Sequence, residues 1–72
     1  MGLYRVLLGI DRAARDTGRR LVMTVRGRDY LDAGLQAEKL ADQDLDDPEV
    51  EYTHAMRITR LAPAAEALAL AA

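Results

Sequence analysis

The chain has no cysteine, serine, tryptophan or phenylalanine, and a single histidine, His54. Each absence closes a route. Without cysteine there is neither a disulfide nor a thiolate metal site. One histidine cannot build a His-rich metal site. Without serine or cysteine the commonest nucleophiles of acyl transfer are missing, and the hydroxyls left are Thr17, Thr24, Thr53, Thr59 and three tyrosines. A general base needs a nucleophile and an orienting group beside it, so His54 is expected to be a packed or hydrogen-bonded strand residue. Glycines 2, 9, 18, 27 and 34 form neither a G-x-G-x-x-G turn nor a P-loop. No catalytic, cofactor-binding or metal residue is assigned, and the expected class is a non-enzyme without cofactor.

Long hydrophobic runs are also missing. Val6-Leu7-Leu8-Gly9-Ile10, between Arg5 and Asp11, is too short for a signal-peptide core or a membrane span. Met1-Gly2 opens like a myristoylation signal, but Val6 stands where serine or threonine is required. The expected location is cytoplasmic, with no membrane partner and no small-molecule substrate. The acidic stretch from Asp42 to Glu49 begins like a calcium loop. Its sixth position is Asp47 instead of glycine and its twelfth is Thr53 instead of glutamate, so the ligand pattern fails twice. A solvated helix end is the expected reading.

What is present is a 72-residue chain of net charge −2 with its charge divided. Residues 1–28 hold seven arginines against Asp11 and Asp16; residues 29–72 hold Lys39, Arg57 and Arg60 against ten carboxylates. Either the two halves attract each other within one fold, or one end serves a partner. A domain this short has a thin core and commonly gains stability from a disulfide, a metal or a partner. With the first two closed, a partner surface remains.

Residues 3–11 alternate, with Tyr4, Val6, Leu8 and Ile10 on one face and Leu3, Arg5, Leu7 and Gly9 on the other. Period two means a strand. Asp16-Thr17-Gly18 is a turn signal, and residues 20–27 alternate again, so a hairpin is expected. Asp29 is a candidate N-cap. The period then becomes helical, with Tyr30, Ala33, Gly34, Ala37, Ala41 and Leu45 on one small-sided face and a stop at Asp46-Asp47-Pro48. Residues 50–61 read as a third strand, with Val50, Tyr52, His54, Met56 and Ile58 expected toward the helix. The fold class expected is α+β, β-β-α-β, a three-stranded sheet of order 2-1-3 with one helix on one face. Residues 1–62 form the domain. Residues 63–72 form an Ala/Leu-rich tail, expected to be a short docked helix starting at Pro63.

One sheet face is left without cover from the helix. Leu7, Val22, Ala55 and Leu61 on that face, with Leu68 and Leu70 of the tail, are the expected protein interface. The tail would cover it in its own subunit or in a second one. Arg12, Arg15, Arg19 and Arg20 cluster about the hairpin turn and are the candidate phosphate contacts of an alternative nucleic-acid reading. Against it stand the acidic sum and the lack of aromatic residues among the arginines.

The run from Tyr30 through Ala41, followed by Leu45-Asp46-Asp47-Pro48 and Glu51-Tyr52-Thr53, resembles small orphan proteins of actinobacteria and their phages. In these a strand precedes a D-Y-x-D-A helix start and a last strand follows. That resemblance implies the β-β-α-β order and no activity. Nine arginines against one lysine, with abundant alanine, fit a GC-rich genome. The β-β-α opening is also similar in outline to small antitoxin domains with a reduced RNase-H-like fold, without their glycine-rich loop before the helix. The leading expectation is a non-catalytic protein-interaction or assembly subunit, phage-encoded, acting as a homo-oligomer or on a host or phage protein. The alternative is a nucleic-acid-associated or regulatory protein that uses the basic hairpin.

Overall fold

The computed structural model describes residues 1–61. The tail expected at 63–72, with Leu68 and Leu70, lies outside the described residues. The elements run β1 (Gly2–Arg12), β2 (Arg15–Gly27), α1 (Tyr30–Asp42) and β3 (Glu51–Arg60). The sheet order is β2-β1-β3, and β1 is antiparallel to both neighbours. This is the expected α+β arrangement. β1, the central strand, carries buried apolar residues on both faces, Leu3 on one and Tyr4, Val6, Leu8 and Ile10 on the other.

The core lies between the sheet and α1. Val6, Leu8 and Ile10 are fully buried, joined by Tyr4 and Val25 from the sheet and by Ala33, Ala37 and Ala41 from the helix. Burying each of the three large aliphatic side chains contributes about 1.5–3 kcal/mol. The small helix face brings α1 very close. A Cβ on Gly27 would stand 2.8 Å from the backbone nitrogen of Ala33, so only glycine fits at that crossing. Asp29 caps the helix by accepting from Asp32 N. The Arg28 N–H donates to Asp32 at 2.8 Å and holds that carboxyl below its usual range. The helix ends at Asp42 with Gln43 as its cap, three residues before the expected Leu45.

Two local features correct the sequence reading. The hairpin turn is Ala13-Ala14, both at positive φ, flanked by the pair Arg12↔Arg15. Asp16-Thr17-Gly18 is instead a bulge inside β2, where the register slips between Gly9 and Asp11. There Gly18 has φ +80, its N–H donates to Asp16 Oδ1, and Thr17 Oγ1 donates to Ile10 O. The second feature is a slip in β3. Leu7 pairs with Arg57 but Leu8 pairs with Ala55, so Met56 is the extra residue. Below that slip the alternation inverts. Thr53 and Ala55 face the helix with Ile58, while Tyr52 and His54 face the open side. Ala55 is therefore part of the packing under α1 and does not belong to the open face.

Candidate interaction surface

Strand register fixes what shares the open face. From one end to the other it carries the rows Arg26–Leu3, Thr24–Arg5–Thr59, Val22–Leu7–Arg57, Arg20–Gly9–His54 and Asp16–Asp11–Tyr52. One end is cationic and the other carries two carboxylates. Of the residues expected to form an interface here, Val22 is 62 % exposed and Leu7 is half-buried. Leu61 sits opposite Leu3, its N–H donating to Leu3 O, but is only 8 % exposed. Leu61 is therefore not available to a partner in the way Val22 is.

The hairpin arginines mostly turn inward to carboxylates. Glu51 is buried, and its Oε2 lies 3.4 Å from Arg19 and 3.7 Å from Arg12. Its Oε1 accepts from Asp47 N at 3.1 Å, and Arg12 also reaches Asp47 at 3.5 Å. Arg20 clasps Asp16 with two hydrogen bonds of 2.9 Å. That clasp, helped by the Gly18 N–H, holds the Asp16 carboxyl down at about 2. Among the described residues Arg5, Arg15, Arg26 and Arg57 make no ion pair. Three of these lie on the open face to one side of Leu7 and Val22: Arg57 in their row, Arg5 in the next and Arg26 in the one beyond.

His54 lies across Gly9, where a Cβ would come within 2.7 Å of its ring. Its Nδ1 is 3.0 Å from Asp11 Oδ2. The separation is that of an ion pair, but Nδ1 is buried without a well-directed hydrogen bond. The sequence reading placed His54 under the helix and missed this pair; the slip at Met56 is what turns it outward. An Asp–His pair could move a proton, but the hydroxyls of Thr17 and Thr53 are committed to Ile10 O and to Asp42 Oδ1. Among the described residues no group of three or more His, Asp or Glu could hold a metal ion. No described helix is long and apolar enough to cross a membrane.

The two sheet edges differ. Along β3, Thr53 N donates to Asp42 Oδ1 at 2.9 Å and Ala55 N donates to Glu38 Oε2 at 2.8 Å. Two helix carboxylates thus occupy backbone donors that an edge strand would otherwise present. Along β2 side chains take the N–H groups of Gly18 and Arg19 at the bulge, and among the described residues none takes one between Leu21 and Val25. No protein-family model matches the chain, and neither the curated proteins nor the solved structures offer a match.

Proposed function

We propose that this protein is a non-catalytic protein-interaction or assembly subunit whose contact surface is the open sheet face. One observation carries the reading: Val22 and Leu7 form an apolar centre in a face with Arg5 and Arg26 at one end, Arg57 beside the centre, and Asp11 and Asp16, paired with His54 and Arg20, at the other. Such a surface would be self-complementary if Asp11 and Asp16 exchanged His54 and Arg20 for arginines of a second copy. A twofold axis near Leu7 and Val22 would lay the cationic end of one copy on the acidic end of the next and join the apolar centres. Isologous contacts of this kind close into dimers. The homo-oligomer is therefore the form of the reading to test first. Sedimentation of the full chain at micromolar concentration, with and without Val22→Glu, does so.

The nucleic-acid alternative rests on Arg12, Arg15, Arg19 and Arg20. Arg12, Arg19 and Arg20 already face Glu51, Asp47 or Asp16. Each would have to leave a carboxylate to meet a phosphate, and the surrounding acidic groups repel a polyanion. The expected outcome of an anisotropy titration with a short duplex at physiological salt is no measurable binding. Micromolar binding whose logarithm falls with log salt at a slope of about −3 to −4 would reverse the ranking.

A further inference from the structure

β2 is a thirteen-residue edge strand without proline or lysine, the usual edge blockers. Its only ladder partner is β1, and no side chain among the described residues takes a backbone group of residues 21–25. β3 presents the opposite case, with Glu38 and Asp42 on its backbone donors. Among the described residues one edge is thus occupied and the other open along residues 21–25.

Beside the open edge lies a groove of about 210 Å³ between β2 and the C-terminal end of α1. Ile10, Leu21, Val22, Met23, Ala41 and Leu45 make it apolar, and its charged members are Asp44 and Arg19, the latter paired with Glu51. Leu21 and Met23 share the helix face of β2, while Arg20, Val22, Thr24 and Arg26 share the open face. A strand added to β2 would alternate in the same way. One set of its side chains would run beside the groove. The other would run beside Arg26, which has no carboxylate partner among the described residues, and beside Arg20, which Asp16 already holds. β2 carries four arginines against one aspartate. A second copy of β2 laid on this edge would bring four more, and like charges on paired strands are destabilising.

We propose that the β2 edge takes an extended segment of a foreign protein as a fourth strand, one whose residues alternate apolar with acidic. Backbone hydrogen bonds hold it, apolar side chains enter the groove, and carboxylates meet Arg26 and its neighbours. The proposal rests on the reading of the chain as an interaction subunit; it shares Val22 with the open face but makes its contact along the β2 edge.

The test is an NMR titration of the full chain with a short capped peptide alternating glutamate with valine and leucine. The expected result is slowed amide exchange and shift changes in β2 between Leu21 and Val25, with none at Thr53 and Ala55. A peptide with lysine for glutamate binds about tenfold more weakly, the scale of one to two exposed charge contacts. Arg26→Glu, at an exposed and unpaired position, reverses that preference. Four results would overturn the proposal: no binding, equal binding of the two peptides, changes centred away from β2, or β2 protection that grows with protein concentration alone. The last would identify a second copy as the occupant. Peptide failure with dimerisation intact removes this proposal only. A monomer at all concentrations that still binds the peptide removes the open-face dimer only.

Discussion

At the residue scale the chain carries a visible cost and one dependent carboxylate. Ala13 and Ala14 both sit at positive φ in a two-residue hairpin turn, where asparagine and glycine are the favoured pair. Left-handed backbone costs an L-residue about 1–2 kcal/mol. Ala13→Asn with Ala14→Gly should therefore raise stability by about 1–2 kcal/mol, read as an increase in melting temperature; an unchanged or lower value would show the turn to be relaxed. The turn was illegible in the sequence because its residues advertise nothing. The strong signal nearby, Asp16-Thr17-Gly18, is spent on a bulge. Asp16 gives a pH dependence with a definite sign. Its carboxyl is held at about 2 against an ordinary 3.8, first by Arg20. The stabilisation is complete above the ordinary value and is lost as pH falls through the folded one. Melting curves between those two pH values should be flatter for Asp16→Asn than for the natural chain. Equal slopes would mean the clasp does not persist in solution.

At the element scale, the strand order, the helix start at Asp29 and the small helix face were all readable from period and capping. The face of β3 was not. Alternation alone assigns Tyr52, His54 and Ile58 to one side, and a single extra residue at Met56 breaks that series. A packing signal was available. A helix that meets the sheet through Ala33, Gly34, Ala37 and Ala41 approaches too closely for Tyr52 or His54 beneath it, whereas Thr53 and Ala55 fit. The edge of β3 depends on the same register. Asp42 accepts from both the N–H and the hydroxyl of buried Thr53, at 2.9 and 2.7 Å. Asp42→Ala leaves the Thr53 N–H without an acceptor and the hydroxyl with only Glu38 O at 3.3 Å, and should cost about 1–3 kcal/mol. Urea denaturation would measure it, with Asn at this position intermediate. A loss of a few tenths would show that water replaces the carboxylate at no cost.

At the scale of the whole molecule, the charge division between the two halves of the sequence resolves in two parts. Arg12 and Arg19 meet Glu51 across the fold, which is the mutual attraction that composition suggested. Among the described residues Arg5, Arg26 and Arg57 stay unpaired beside Leu7 and Val22, which composition could not place because it depends on strand register. The interface residues expected from alternation divide likewise. Val22 and Leu7 stand where expected, Ala55 lies under the helix, and Leu61 is buried beside Leu3. The exposed apolar centre and the opposed charged ends of the open face underlie the assembly reading. Sedimentation velocity of the full chain through the micromolar range tests it most directly. The expected result is a concentration-dependent dimer that Val22→Glu converts to monomer while the melting temperature holds. A monomer at every concentration, or a dimer indifferent to Val22→Glu, would contradict it.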